Sequence, residues 1–120
     1  MSYKRWTIWR ANLDPIIGSE QGHTRPVMII SDDTINELVN TVNIIPLTSR
    51  KPGRKIYPNE VCIEADTHGL QEESILLCHQ IRTIDKRRFA QFYGQISDVL
   101  VQNEIVQSLL FQLGIENIYL

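Results

Sequence analysis

An arginine at the base of a polar loop is the first residue of this sequence suited to chemistry. Arg25 follows the glycine-containing segment Gly18–His23 and stands directly before the apolar run Pro26–Ile30. A guanidinium is permanently charged and makes paired hydrogen bonds to phosphate oxygens, which suits a transition state with extra negative charge. The structural alternative is an ion pair between Arg25 and a loop carboxylate such as Glu20. From this segment alone the two interpretations stay open.

Two hydroxyls form a second candidate, Thr48 and Ser49, at the end of another apolar run. Thr48 could donate a hydrogen bond to a phosphate oxygen or orient a ribose hydroxyl. Its alternative role is to turn the backbone at a strand end. His23 is a further candidate for moving a proton, because imidazole titrates near neutrality and this residue lies close to Arg25.

Cations are distributed unevenly along the chain. The sequence has 12 Lys and Arg against 14 Asp and Glu, a formal net charge of -2. Arg50–Lys55 contains only cations among its charged residues, Arg82–Arg88 contains one acid, and no Lys or Arg follows Phe89. This pattern predicts one face that binds a polyanion, with ordinary solvated loops as the alternative.

The elements that must position these residues are mostly strands of a single domain spanning residues 1–120. The fold class is mainly β with helices (α+β), because short runs of β character dominate the first three quarters. Five or more short strands favour a small closed β-barrel, since closure removes exposed edges. The predicted strands cover Thr7–Leu13, Pro26–Ile30, Thr41–Leu47, Asn59–Glu64 and Ser74–Cys78, with Gln80–Ile84 as a continuation or a sixth strand, and Thr34–Leu38 as a short helical turn.

The end of the chain predicts a long amphipathic C-terminal helix. Apolar residues recur there at helical spacing, Ser97 can cap the start, Ile96 can pack on Val101, and Gly114 fits the stop. The apolar tail Ile115–Leu120 is expected to pack on the domain or on a second copy of it.

The sequence shows no membrane-spanning run, signal peptide or zinc-ligand spacing, and these features bear on cellular location and metal binding. No apolar run reaches the roughly 20 residues of a membrane-spanning helix, and the N-terminus does not resemble a signal peptide. We therefore expect a cytoplasmic protein with no membrane association. Cys62 and Cys78 are not spaced as zinc ligands and are expected to stay reduced.

Three segments resemble the MazF/PemK family of toxins. Residues 18–31 match a GSEQ-x-x-x-RPV-hydrophobic-S signature, residues 45–49 match a PLTS segment, and Leu76–Arg87 matches a third block. Together these similarities cover most of residues 8–88. The resemblance implies a small β-barrel with peripheral helices, a homodimer, and a cognate antitoxin whose extended tail occupies the RNA groove.

The resemblance also implies an activity. It is sequence-selective cleavage of single-stranded mRNA without metal or other cofactor, by attack of a ribose 2′-OH that leaves a cyclic phosphate and a 5′-OH. Arg25 and Thr48 occupy the catalytic positions. The motifs and the basic segments together predict these RNA-binding residues: Ser19, Glu20, Gln21, Ser49, Arg50, Lys51, Gln80 and Arg82.

One departure from the family pattern affects the expected activity. Relatives usually carry Gly-Asp before the first Ile-Trp, whereas this chain has Trp6-Thr7, so the tight glycine turn is expected to change. A different class of function also fits the barrel, namely a non-catalytic toxin that resembles CcdB and binds DNA gyrase. A plain peptide-binding barrel is disfavoured, because its groove would need exposed aromatic residues.

Overall fold

The computed structural model describes residues 2–116, which form an antiparallel sheet and two α-helices. The strands make up most of the regular secondary structure, and α2 follows the last of them. No helix within this range is long and apolar enough to span a membrane. The elements are β1 (Thr7–Asn12), β2 (Thr24–Ile29), α1 (Asp33–Leu38), β3 (Thr41–Ser49), β4 (Glu60–Ile63), β5 (Ser74–Leu77), β6 (Arg82–Asp85), β7 (Phe89–Gln95) and α2 (Val99–Leu113), with 3-10 turns at Cys78–Gln80 and Lys86–Arg88.

The nine-residue strand β3 organises the sheet. The strand order is β4-β5-β3-β2-β1-β7, and β6 pairs with β3 beside this path. Ile44 pairs with Ile29 of β2 and with Arg82 of β6, so β2 and β6 lie on opposite edges of β3. Beyond that point the far end of β3 pairs with β5. As a result, β3 leaves β2 near its end, where the predicted catalytic residues lie.

The predicted closed barrel is wrong, because β4 and β7 end the strand order without pairing with each other. Instead, the connection between β4 and β5 packs against β7. An added Cβ at Gly94 would lie 2.2 Å from the His68 carbonyl oxygen, and one at Gly69 would lie 2.1 Å from the Tyr93 carbonyl oxygen. His68 Nδ1 also lies 3.1 Å from the Gln95 carbonyl oxygen. A turn therefore packs closely against the end of β7, where β4 does not pair.

The predicted strands and both helices are confirmed, with two differences. Residues 89–95 were not predicted as a strand, since the pairing of β1 with β7 contains register shifts that break the alternation of side chains. The cap of α2 is Asp98 rather than the predicted Ser97, because the Asp98 carboxylate accepts a 2.9 Å hydrogen bond from the Leu100 N–H. Gly114 ends the helix in a left-handed conformation, as predicted.

The core has two parts, one on each face of the sheet. The first is completed by α2, which buries Ile105 against the strands. The second holds Trp9, around which Tyr3, Phe89 and Phe92 pack with ring centroids 5.1–5.4 Å apart. Of the predicted tail, Ile115 is 53% exposed, and the last four residues lie outside the described range, so the expected packing of the tail stays a prediction.

Trp6 adopts a turn conformation that usually favours glycine. Trp6 has φ 72, a left-handed conformation that costs a side-chain-bearing residue about 1–2 kcal/mol. Its N–H donates to the Ile29 carbonyl at 2.7 Å, and its carbonyl accepts from the Ile96 N–H at 2.8 Å. The Arg5 guanidinium lies 4.7 Å from the indole centroid. These contacts offset the strain of the left-handed conformation at Trp6.

Both cysteines are free thiols. Cys62 is partly exposed and Cys78 is buried in the core. Burial raises the pKa of Cys78 to about 12, with a further contribution from the nearby negative charge of Glu60. Cys78 therefore stays protonated at neutral pH and acts as a small apolar residue.

Candidate active site

Arg25 and Thr48 lie at matching positions on neighbouring strands. The β2–β3 ladder runs from Ile29↔Ile44 to Val27↔Pro46, and Arg25 and Thr48 each stand two residues beyond that last pair. Because side chains alternate with a period of two, continuing the register places both on the same face. The strands separate here, since Arg25 pairs with Ala11 of β1 and Thr48 pairs with Ile75 of β5. The result is a split between two strands with a guanidinium on one side and a hydroxyl on the other.

Arg25 is half-buried and held at its base. Its Nε donates a 2.7 Å hydrogen bond to the Gly22 carbonyl, which fixes the guanidinium beside the loop. Within residues 2–116 it forms no ion pair. The Glu20 carboxylate instead accepts from the Ile17 N–H at 2.6 Å, so the structural alternative for Arg25 is not formed. The terminal nitrogens of Arg25 can therefore receive a phosphate.

Thr48 is half-buried, and its neighbour Ser49 is exposed. The Ser49 hydroxyl donates to Glu72 Oε2 at 2.6 Å, which ties the end of β3 to the connection between β4 and β5. Ser49, a predicted RNA-binding residue, therefore already has a protein partner. Thr48 is the hydroxyl that faces the split opposite Arg25.

The structure brings together three other predicted RNA-binding residues. Gln80 Oε1 accepts from the Gln21 N–H at 3.1 Å, and Gln80 Nε2 donates to the Ser19 carbonyl at 3.3 Å. The side chain of Gln80 thus connects the 3-10 turn after β5 to the loop before β2. Glu20 stabilises the same loop through its bond to Ile17.

Two arginines of the basic loop 50–55 stabilise the loop itself. Arg50 donates through Nε and Nη2 to the Arg54 carbonyl, at 3.1 and 2.9 Å, and its Nη1 lies 3.5 Å from Glu73. Arg54 in turn binds Glu60 through two parallel 2.7 Å hydrogen bonds. Lys51 and Lys55 remain exposed. Of the predicted contacts in this loop, Lys51 is better placed for RNA than Arg50.

Arginines of the second basic segment also hold loops in place. Arg82 Nη1 donates to the Leu13 carbonyl at 3.3 Å, and Arg88 donates to the carbonyls of Asn12 and Asp14. All three carbonyls lie where β1 leads into the loop that carries Arg25. Arg82 and Arg88 therefore hold the start of this loop through its backbone carbonyls. The number of charges in the sequence does not reveal this role.

His23 lies on the solvent side of the loop. Its ring Nδ1 is 3.4 Å from Asp14 Oδ2, and its side chain is 81% exposed. The Asp14 carboxylate also accepts from the His23 N–H at 2.8 Å. Asp14 thus fixes the backbone just before Arg25, which the sequence did not indicate.

A cavity of about 430 Å³ opens on the other face of the sheet from Arg25 and Thr48, because Pro26 and Ser49, which line it, alternate with them along β2 and β3. It lies between the strands and the connection from β4 to β5. Sequence reasoning missed most of its lining, because the residues come from four separate segments. They are Pro26, Ser49, Gly69, Gln71, Glu72, Gln91 and Tyr93.

The Arg54–Glu60 pair predicts a specific acid sensitivity. The Glu60 side chain is 3% exposed, and hydrogen bonds from Arg54 hold the pKa of its carboxyl below the usual range, although burial opposes this. A lowered folded-state pKa stabilises the fold above the unfolded pKa of about 4.3, and this stabilisation is lost as pH falls through the folded value. We expect the free energy of unfolding to fall more steeply below pH 5 in the wild type than in Glu60→Gln, measured by urea titration. Equal slopes would contradict the assignment.

The sequence of this chain is similar to one protein family and to an endoribonuclease. Residues 4–110 match the family described as PemK-like, MazF-like toxin of type II toxin-antitoxin systems. The chain is 36% identical over 101 residues to endoribonuclease EndoA from Bacillus subtilis (strain 168), covering 84% of this chain and 86% of that protein. The chain therefore belongs to the PemK-like, MazF-like toxin family.

Solved structures agree with this relationship. MazF from Deinococcus radiodurans superposes with a TM-score of 0.80 at 28% identity, over 96% of this chain and 99% of that one. An endoribonuclease in complex with its cognate antitoxin, from mycobacterial species, gives a TM-score of 0.78 at 20% identity, over 97% and 99% of the two chains, which supports the fold alone. These relatives favour the nuclease interpretation over the gyrase-binding alternative.

Proposed function

We propose that this endoribonuclease toxin cuts single-stranded RNA at a phosphate bound between Arg25 and Thr48, without a metal ion. The observation that carries the proposal is the matching position of the two residues on strands that separate beside them. A guanidinium with no ion pair among the described residues is attracted to a phosphate, and the neighbouring hydroxyl donates to its oxygen. The same two residues occupy the family's catalytic positions.

The reaction is an internal transfer. The ribose 2′ oxygen forms a bond to phosphorus, the bond from phosphorus to the 5′ oxygen breaks, and the products are a cyclic phosphate and a 5′-OH. The 2′-OH loses its proton and the leaving oxygen gains one. Arg25 stabilises the extra negative charge of the transition state, while Thr48 orients the phosphate. An arginine is a poor general base because its guanidinium stays protonated, so His23 is the alternative group for moving the proton.

The partners follow from the same surface. The RNA would extend from the split along the loop of Ser19 to Gln21 and the exposed Lys51. A cognate antitoxin would inhibit the toxin by covering this surface with an extended tail. A homodimer is also proposed, since Leu100, Phe111 and other large apolar side chains of α2 are more than half exposed.

Incubation of the purified protein with a long single-stranded RNA in EDTA tests the proposal. We expect discrete fragments, because the reaction needs only the groups of the protein and the 2′-OH. A protein that leaves the RNA intact while binding gyrase would instead support the non-catalytic alternative.

A further inference from the structure

We infer that Asp14 is a positioning residue for Arg25 and acts through one peptide group of the loop between them. This inference rests on the proposed RNA cleavage and adds a residue on which its rate depends. The Gly22 carbonyl accepts from Arg25 Nε at 2.7 Å. The N–H of the same peptide belongs to His23 and donates to Asp14 Oδ1 at 2.8 Å. A chain of two hydrogen bonds therefore joins the carboxylate to the guanidinium.

The peptide group keeps the two charges apart. The N–H and C=O of a planar trans peptide point in opposite directions, so the Asp14 carboxylate and the Arg25 guanidinium bind its opposite sides. A negatively charged acceptor polarises the peptide and strengthens the bond that its carbonyl accepts. Among the described residues Arg25 has no ion pair, so its terminal nitrogens stay available to a phosphate. Asp14 thus orients the guanidinium without neutralising it.

The backbone of His23 is strained, and the Asp14 carboxylate holds it. Its φ of 62 lies in the left-handed region, which residues with a side chain adopt uncommonly. Such a conformation persists only where surrounding contacts fix it, and strained residues of this kind cluster at functional sites. The second contact here is a 2.9 Å bond from the Leu13 N–H to the His23 carbonyl. Without the carboxylate the peptide is free to rotate, and the Gly22 carbonyl then leaves Arg25.

Gly22 packs directly on the carboxylate. It is buried, and an added Cβ would lie 2.8 Å from Asp14 Oδ1 and 2.8 Å from Ile16 Cδ1. Asp14 is itself held by the end of β1 and by the second basic segment, since its N–H donates to Asn12 Oδ1 at 3.0 Å and its carbonyl accepts from Arg88. A methyl group at Gly22 would displace the carboxylate, so Gly22→Ala is a second route to the same defect.

Single-turnover and steady-state kinetics on an RNA oligonucleotide in EDTA test the inference. Misplacing a catalytic group by about 1 Å costs up to about 10²-fold in rate, so we expect Asp14→Ala to lower kcat about tenfold or more. KM should change less than about twofold, because the contact is needed in the transition state rather than for binding. Asp14→Asn keeps an oxygen that accepts the His23 N–H and should recover most of the rate. Gly22→Ala should share the low kcat of Asp14→Ala.

Asp32→Ala is the matched control. It also removes a carboxylate that accepts one backbone N–H, that of Thr34 at 2.9 Å. Asp32 follows the end of β2, whereas Arg25 lies at its start. We expect Asp32→Ala to keep the wild-type kcat.

Two double variants identify the path of the effect. Arg25→Lys loses the Nε–H that donates to Gly22, so adding Asp14→Ala to it should lower the rate no further. His23→Asn removes the imidazole but keeps a residue that tolerates a left-handed backbone, so Asp14→Ala should lower the rate there as much as in the wild type. An effect that disappears in the His23→Asn background would assign the action of Asp14 to the imidazole and overturn the inference.

The outcomes separate this inference from the proposed function. If Arg25→Ala abolishes cleavage while Asp14→Ala and Gly22→Ala keep the rate of Asp32→Ala, the inference is wrong and the proposed function stands. If Arg25→Ala still cuts RNA at the wild-type rate, the proposed function itself fails. Urea unfolding shows whether each variant is folded, and Gly22→Ala decides the outcome if Asp14→Ala is not.

Discussion

Arg25→Ala is expected to lose RNA cleavage almost completely while the protein stays folded. Removing one preorganised group that stabilises transition-state charge typically lowers kcat by about 10²–10³, and arginines acting on phosphoryl groups reach larger effects. Arg25 is half-buried and makes one hydrogen bond, to Gly22, so its removal should change stability little. The measurement is the single-turnover rate on an RNA oligonucleotide containing a mapped cut site.

Arg25→Lys is the informative companion variant. It keeps the positive charge but not the planar fork that binds two phosphate oxygens, so its rate should fall between those of the wild type and Arg25→Ala. Far-ultraviolet circular dichroism and urea unfolding provide the control for folding. A wild-type rate in Arg25→Ala defeats the assignment of the active site.

Gly94→Ala is expected to be strongly destabilising, because it adds a methyl group where the connection between β4 and β5 packs on β7. The added Cβ would lie 2.2 Å from the His68 carbonyl oxygen and 2.7 Å from its carbon, so backbone must move. Overpacking of this kind costs about 2–3 kcal/mol, because neither segment can rotate a side chain away. The loss should appear as a lower urea midpoint with an unchanged m-value at fixed protein concentration.

Gly53→Ala is the matched control. Gly53 has φ +77 but no atom within 4 Å of an added Cβ, so alanine there adds backbone strain of about 1 kcal/mol without a clash. A Gly94→Ala variant no less stable than Gly53→Ala would show that the connection does not pack on β7 as described.

The strands were predictable from the sequence because they depend on local patterns, and the site at Arg25 and Thr48 stays a prediction that rests on such patterns. The alternation of apolar and polar residues, together with turn residues, predicted β1 to β5. Arg25 stands just before a buried apolar run, and Thr48 stands just after another. The open sheet was not predictable, since it depends on the contact between Gly69 and Gly94, which are far apart in the chain. No local pattern shows that a turn, rather than a pairing strand, packs against β7.

The protein partners of the charged residues also could not be predicted from the sequence. The run Arg50–Lys55 predicts a basic surface, but which cations face solvent depends on partners brought by folding. Arg54 is fixed by the buried Glu60, and Arg50 by the Arg54 carbonyl. The predicted RNA contacts at Lys51 and Gln80 stay predictions, now with a geometry that can be tested.

The claim that matters most is that the RNA supplies its own nucleophile at a phosphate held by Arg25 and Thr48. A direct measurement uses two RNA oligonucleotides that differ only by one 2′-deoxy sugar on the 5′ side of the cut site, incubated with the wild-type protein in EDTA. We predict that the all-ribose strand is cut to a cyclic phosphate and a 5′-OH, and that the deoxy-substituted strand stays intact. Cleavage of both strands at the same bond would contradict the account.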